Sequence, residues 1–306
     1  MVGLLFPGQG SQYVGMGRDL AKAHPEARRA FEEADDTLGF ALSKLAWEGP
    51  ETELRATSVA QPAILTHSVA ALRVAGERLG DVAMAAGHSL GEFSAYVAAG
   101  ALSFEDALRT VRVRGELMQR SGQERPGTMA ALLGLDDEAV ERVCAEASEG
   151  VSVCVPANYN SPGQLVISGD VAAVERAMEL AKAAGARRAI GLNVSGAFHS
   201  PLMRVAEAGL DAQLEAAALS TPRYPVVSNV TAQPVMDAAD ARRLLLEQLT
   251  SAVRWTASMR TMLDAGVEQF YEIGPGNVLT GLLKRIERSA ASRVLGTAAD
   301  VEALAA

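Results

Sequence analysis

The sequence predicts an α/β protein of two units. The large one is built on a mainly parallel sheet flanked by helices, and a small α+β one is inserted into it. Three observations carry this. Short apolar runs such as residues 2–6 and 82–86 alternate with longer helical stretches. Strands that are apolar throughout are buried on both faces, as in parallel sheets covered by helices. The rhythm then changes over residues 127–195, where strands and helices become short and follow a different order. Finally, residues 82–100 read as strand, sharp turn and helix, with a serine at the apex of the turn.

Composition sets the limits. A chain of 306 residues with 49% hydrophobic and 21% charged residues can bury a large core and is not disordered. A net charge of -9 argues against broad nucleic-acid binding. The only cysteines, Cys144 and Cys154, lack metal-site spacing and read as free buried thiols in a reducing cytoplasm. A catalytic cysteine is the sharper alternative, but neither lies in a turn beside a histidine. With no leader-like segment and no apolar run long enough to span a bilayer, a cytoplasmic protein without a membrane role is expected.

Taken in order, Val2–Phe6 is a strand that ends in the glycine-rich loop Pro7-Gly8-Gln9-Gly10-Ser11-Gln12. The loop is either a plain connection or a backbone that must approach a ligand or a nucleophile closely. It matches neither the dinucleotide nor the phosphate-loop fingerprint. Residues 27–38 and 62–79 are helical, with Pro62 placed in a first turn, where it needs no N–H. Residues 82–86 are the next strand, followed by a helix with Phe93, Tyr96 and Val97 at helical spacing. Ser103 caps another helix, and Glu105 and Asp106 suit its dipole. Its core face carries Ala107, Leu108, Val111 and Met118, with Arg114 on the same stripe. Arg109 and Arg112 fall on what reads as the solvated side.

The inserted unit reads as strand 128–135, helix 137–147, strands 151–156 and 164–168, helix 171–184 and strand 188–194. That β-α-β-β-α-β order is ferredoxin-like. The expected division is 1–125 and 196–306 for the large unit and 126–195 for the small one. The chain re-enters through Ser195-Gly196-Ala197-Phe198-His199-Ser200-Pro201. Helix 202–218, strand 224–229, helix 241–249 and strand 268–273 follow, with a last helix after Gly274-Pro275-Gly276-Asn277.

The chemistry gathers at Gly87-His88-Ser89-Leu90-Gly91. Glycines flank a serine whose backbone must bend sharply, which lifts the hydroxyl clear of the sheet. N–H groups of the first helical turn are left unpaired nearby as donors for an oxyanion. The serine needs a proton acceptor. His88 adjoins Ser89 in a sharp turn and should point away, His24 reads as exposed, and His67 sits within a helix. His199 lies in a domain junction, where a cleft would form, and is the expected base. Arg114 needs an anion, because a buried guanidinium stays charged. That anion is either an internal Asp or Glu or a carboxylate on the substrate.

Together these stretches resemble the malonyl-CoA:acyl carrier protein transacylases, the acyltransferases of fatty acid and polyketide synthesis. Besides the loop 7–12 and Gly87-His88-Ser89-Leu90-Gly91-Glu92, the resemblance rests on Arg114-Gly115 with Met118-Gln119 and on Asn158-Tyr159-Asn160-Ser161-Pro162-Gly163-Gln164. Gly196-Ala197-Phe198-His199-Ser200 and Gln248 before Val253-Arg254-Trp255 complete it. It covers nearly the whole chain, and it implies a hydrolase-like core and the following roles. Ser89 takes malonyl from malonyl-CoA as an acyl-enzyme, and the phosphopantetheine thiol of acyl carrier protein accepts it. His199 moves the proton, and the Gln248 main-chain carbonyl orients it. The Gln9 and Leu90 N–H groups form the oxyanion hole, and Arg114 clamps the malonyl carboxylate. Gln61 and Asn160 line the cleft. Phe198 crowds an α-branch, as in malonyl-preferring members. No resident cofactor or metal and a monomer are expected. Ser251-Ala252-Val253 departs from the Asn-Pro the family commonly has before that valine.

Two other functions compete. An editing hydrolase would use the same serine but is expected to lack the arginine. A non-catalytic carrier-binding module would have a degenerate site, and this one is complete. A carrier protein is usually acidic, so docking by charge would need a local basic patch. Arg187-Arg188 and Lys284-Arg285 are candidates, although each pair taken singly reads more readily as solvated charge.

Overall fold

The computed structural model describes residues 1–304. Val2–Phe6 (β1) opens the chain, and its last four residues are buried. Leu4 and Phe6 join one core cluster and Leu5 another on the opposite side of the sheet, as alternation along a strand requires. The helices Arg18–Ala23 (α1), Pro25–Leu38 (α2), Leu42–Glu48 (α3) and Glu51–Leu54 (α4) lead to the long helix Thr57–Ala75 (α5).

α5 starts five residues before Pro62, so the proline lies inside the helix rather than in its first turn. A proline there leaves the carbonyl four residues back without its N–H. That carbonyl belongs to Ser58, and Arg112 Nη1 donates to it at 3.0 Å. Arg112 is therefore not simply solvated: it is half-buried and also packs 5.1 Å above the Phe40 ring.

Val82–Gly87 (β2), Gly91–Ala98 (α6) and Phe104–Glu124 (α7) follow. Ser103 caps α7, its Oγ accepting the Asp106 N–H at 3.0 Å. The stripe Ala107, Leu108, Val111, Arg114 and Met118 is buried, as its spacing predicts. Gly115 lets α7 approach α5, since a Cβ would meet the Thr57 carbonyl and Ser58 Cα at 2.7 Å.

The second sheet comprises Gly127–Leu133 (β3), Cys154–Ser161 (β4), Gln164–Asp170 (β5) and Arg188–Gly191 (β6), with Asp137–Ala147 (α8) and Val171–Ala183 (α9) between them. All pairings are antiparallel in the order β4-β5-β3-β6, the ferredoxin-like arrangement. Two strands differ from expectation. β4 starts late, because residues 149–152 close a tight bridge, and it runs on through Ser161. β6 stops at Gly191, because the Val194 N–H turns back to the Leu192 carbonyl. Cys144 and Cys154 lie in this unit's own core as free thiols, 3.8 Å apart.

The remainder contributes Glu207–Ala216 (α10), Val226–Val227 (β7), Pro234–Val235 (β8), Ala238–Glu247 (α11), Trp255–Asp264 (α12), Gln269–Ile273 (β9), Val278–Ile286 (α13), Ala291–Leu295 (β10) and Ala298–Glu302 (α14). The helix expected over 202–218 begins as a 3-10 turn, Pro201–Ala206, before α10. The strand expected over 224–229 shrinks to two residues, because Ser228 and Asn229 turn out of the sheet. The first sheet has the order β10-β9-β1-β2-β7-β8 and is parallel except at β7–β8. The second sheet is stitched directly to the segment that leads into α12. The Val253 N–H bonds the Ala157 carbonyl at 2.8 Å, and the Tyr159 N–H bonds the Val253 carbonyl at 2.9 Å.

Candidate active site

β1 and β2 pair in parallel, with Phe6 opposite Gly87, so both deliver their loops to the same edge of the sheet. This is the carboxyl end, where open α/β sheets bind ligands. Ser89 has φ 51°, a left-handed backbone that a non-glycine residue adopts at a cost. Gly91 makes the bend feasible, since a Cβ there would strike the Phe6 carbonyl. Gly8 similarly lies against the His88 carbonyl, which draws the Gln9 loop up to the serine. Gln9 Nε2 is tied to Thr57 Oγ1 at 3.1 Å. The main-chain N–H groups of Gln9 and Leu90 make no bond to the described residues, which leaves one free donor on each of the two loops that meet here.

His199 also has positive φ, 56°, which turns its ring toward the elbow. Ser89 Oγ lies 2.7 Å from His199 Nε2, and His199 Nδ1 lies 2.9 Å from the Gln248 carbonyl oxygen. A carbonyl only accepts, so Nδ1 carries the proton and Nε2 presents a lone pair to the serine. Burial, with the Arg114 charge second, lowers His199 to about 3, so the ring is neutral at ordinary pH. His88 does point away: its Nε2 meets Asn160 Oδ1 at 2.8 Å, and its ring packs 5.5 Å from Trp255.

Arg114 is buried on α7, with no carboxylate within ion-pair distance among the described residues. Nη1 donates to Gln61 Oε1 at 2.8 Å. Nη2 donates to Gln248 Oε1 at 2.8 Å and to Ser89 Oγ at 3.2 Å, and Nε has no partner among the described residues. Burial lowers the guanidinium to about 10, which still leaves it charged. The internal salt bridge that the sequence allowed is not formed.

A cavity of about 920 Å³ opens over these groups, lined by Gln9, Ser89, Arg114, Asn160, Phe198 and His199 among others. Met129 and Val166 of the second sheet form part of its wall. Gln61, expected to line the cleft, does not. It is fully buried and reaches the cavity wall through the Arg114 guanidinium and through Met118, whose Sδ its Nε2 meets at 3.4 Å.

Three contributions escape sequence reasoning. Asn229 Oδ1 accepts the Ser89 N–H at 2.7 Å while its Nδ2 donates to the Gly87 carbonyl at 2.7 Å, clamping the elbow from the end of β7. The Gln248 side chain donates to the Ser89 carbonyl at 3.0 Å, in addition to its contact with Arg114. Glu92 is fully buried and bonded to Gln248 at 2.7 Å. In the sequence Glu92 stands only as the last residue of the family motif around Ser89, with no role attached to it.

A family model described as acyl transferase domain matches residues 4–303. Malonyl CoA-acyl carrier protein transacylase of Bacillus subtilis is 49% identical over 94% of this chain and 90% of its own length. The protein of the same name from Escherichia coli K12 is 48% identical over 92% and 91%. Among solved structures, a malonyl-transacylase in complex with its type II polyketide synthase acyl-carrier protein superposes with a TM-score of 0.95. Its identity is 44%, covering 99% of this chain and 98% of that one. An acyl carrier protein S-malonyltransferase from Vibrio cholerae gives 0.95 at 43% identity, covering 99% of each chain.

Proposed function

The chain belongs to the acyl transferase domain family and, within it, to the malonyl CoA-acyl carrier protein transacylases, and from that premise we propose how its site works. It transfers malonyl from malonyl-CoA to the phosphopantetheine thiol of an acyl carrier protein, supplying fatty acid or polyketide synthesis. Ser89 Oγ attacks the thioester carbonyl as its proton passes to His199 Nε2. The Gln9 and Leu90 N–H groups hold the oxyanion. Collapse breaks the C–S bond, and the leaving coenzyme A sulfur takes the proton from His199. In the second half, the carrier thiol gives a proton to His199 and attacks the malonyl ester, and Ser89 leaves with that proton restored.

The observation that carries this reading is Arg114: a buried guanidinium beside the nucleophile, in direct contact with no carboxylate among the described residues and bordering the cavity. A malonyl carboxylate supplies the missing anion, and an acetyl group does not. The same feature weighs against an editing hydrolase. Phe198 on the cavity wall narrows the space beside the α-carbon. Asn160 acts on the cavity through His88 and as lining.

The enzyme works as a cytoplasmic monomer with no resident cofactor. Residues 1–125 and 196–306 carry the chemistry, and 126–195 cover it. Lys284 and Arg285 are exposed on α13, and Arg285 bonds Gln164 at the cavity rim, which suits docking of an acidic carrier. The test is an intact mass after mixing with malonyl-CoA alone. A malonyl adduct that persists without carrier, vanishes in Ser89→Ala and moves onto added carrier protein is expected. Free malonate without an adduct would overturn transfer in favour of hydrolysis.

A further inference from the structure

Glu92 stands three residues past the nucleophile on α6, and no step above uses it. It is fully buried. Its Oε2 accepts from Gln248 Nε2 at 2.7 Å and from the Asn229 N–H at 3.2 Å, while its Oε1 has no partner among the described residues. The other end of the same amide, Gln248 Oε1, accepts from Arg114 Nη2 at 2.8 Å. A carboxylate and a guanidinium therefore face each other across one amide, neither in a direct ion pair. An amide bridges them in one orientation only, oxygen toward the cation and N–H toward the anion. The same Gln248 holds Ser89 by its side chain and His199 by its carbonyl.

Few other charges face Glu92. The strands β1, β2 and β7, which pack on α6, carry no titratable side chain. α5 brings His67, bonded to the Gly296 carbonyl at 2.7 Å, and Arg73, paired with Glu33 at 2.8 Å. α7 brings Arg114, and α6 itself adds Tyr96, whose phenol burial and Glu92 push up. In the empty site one cation and one anion balance. A substrate carboxylate on Arg114 makes two anions for one cation in a buried cluster. The carboxyl without solvent and without a cation contact is the one that should accept a proton, and its free Oε1 is the place for it.

We propose that Glu92 is a positioning residue that trades its charge for the substrate's: anionic while the site is empty, protonated from solvent once Ser89 carries malonyl. The proposal rests on the malonyl-transfer reading. Once protonated, Oε2 remains an acceptor for Gln248 and Asn229, so the amide keeps its orientation and the nucleophile and base stay in register. Burial already pushes Glu92 up to about 7, opposed by the Gln248 and Asn229 bonds and the Arg114 charge. Cancelling the Arg114 charge removes one of those opposing effects.

The experiment mixes the whole enzyme with excess malonyl-CoA in weak buffer with a pH indicator, and counts adducts by intact mass. At about pH 8, uptake approaching about one proton per malonyl-serine is expected, fading below about pH 6, where Glu92 is already neutral. Acetyl-serine formed from acetyl-CoA should take up none per adduct. Glu92→Gln preserves an acceptor for both N–H groups and should form the malonyl adduct without proton uptake. Equal uptake in Glu92→Gln, or none in the wild type beyond the acetyl control, overturns the proposal while malonyl transfer stands. The wild-type pH series decides even if the variant folds poorly. Failure to form malonyl-serine at all would instead remove the transfer reading itself.

Discussion

Arg114 and the buried histidines set the chemistry at the residue scale. Arg114→Ala removes the only cation facing the cavity from α7 and strands the side-chain amide oxygens of Gln61 and Gln248. Loss of a buried charge partner costs about 3–5 kcal/mol, so kcat/KM for malonyl-CoA should fall on the order of 10²–10⁴-fold. The value for acetyl-CoA should change far less, and steady-state assays with both donors check this. His67 shows the cost of a neutral buried ring. Burial lowers it to about 4 from an ordinary value of 6.5. The unfolded chain therefore binds a proton on His67 over a range in which the folded protein does not. That contribution to stability is complete above about 6.5 and is lost as pH falls toward about 4, by roughly 3 kcal/mol. His67→Gln keeps a donor for the Gly296 carbonyl, and it should flatten the fall of Tm across that window in a calorimetric pH series.

At the scale of elements, the site is a meeting of strand ends. β2 supplies the elbow, β1 supplies the loop that faces it, and the end of β7 supplies Asn229, which braces the turn. Asn229→Ala leaves the Ser89 N–H and the Gly87 carbonyl without partners. Stability should drop by about 2 kcal/mol, and acyl-serine formation should slow at least about tenfold, because Ser89 loses the contact that steadies its positive φ. Chemical denaturation and a rapid-quench time course check the two effects separately. The difference between Ser89 and Asn229 shows what a sequence can announce. Ser89 was legible because strand, glycines and helix are contiguous. Arg114 was legible because a charge broke an apolar stripe. Asn229 and the Gln248 side chain reach Ser89 from 140 and 159 residues away, and nothing local marks them. The same holds for elements. β1 and β2 are apolar throughout and announce themselves, whereas β10 is a half-exposed edge strand with no such signature, and α12 follows a stretch read only for its family marks. Pro62 misled, because the carbonyl it orphans is met by a side chain from another helix.

For the whole molecule, the cavity is shared property. Its chemistry comes from the large sheet, and part of its wall comes from β3 and β5 of the small one. Docking of a carrier is separable from that chemistry. Lys284→Glu with Arg285→Glu should leave malonyl-serine formation from malonyl-CoA intact and raise KM for an acidic carrier several-fold, with less sensitivity to salt than the wild type. Transfer assays over a range of ionic strength check this. The stitch between β4 and Val253 has a further consequence. β4 carries Asn160, which holds His88 beside the nucleophile, and the residue bonded to Ala157 and Tyr159 lies five past Gln248, which holds the base. The small unit resembles an interchangeable cassette, but its seam runs through the machinery. A chimera that swaps it at the obvious borders, to borrow another enzyme's carrier preference, would cut that seam. A graft that carries the β4 strand and the segment around Val253 as one matched piece would not.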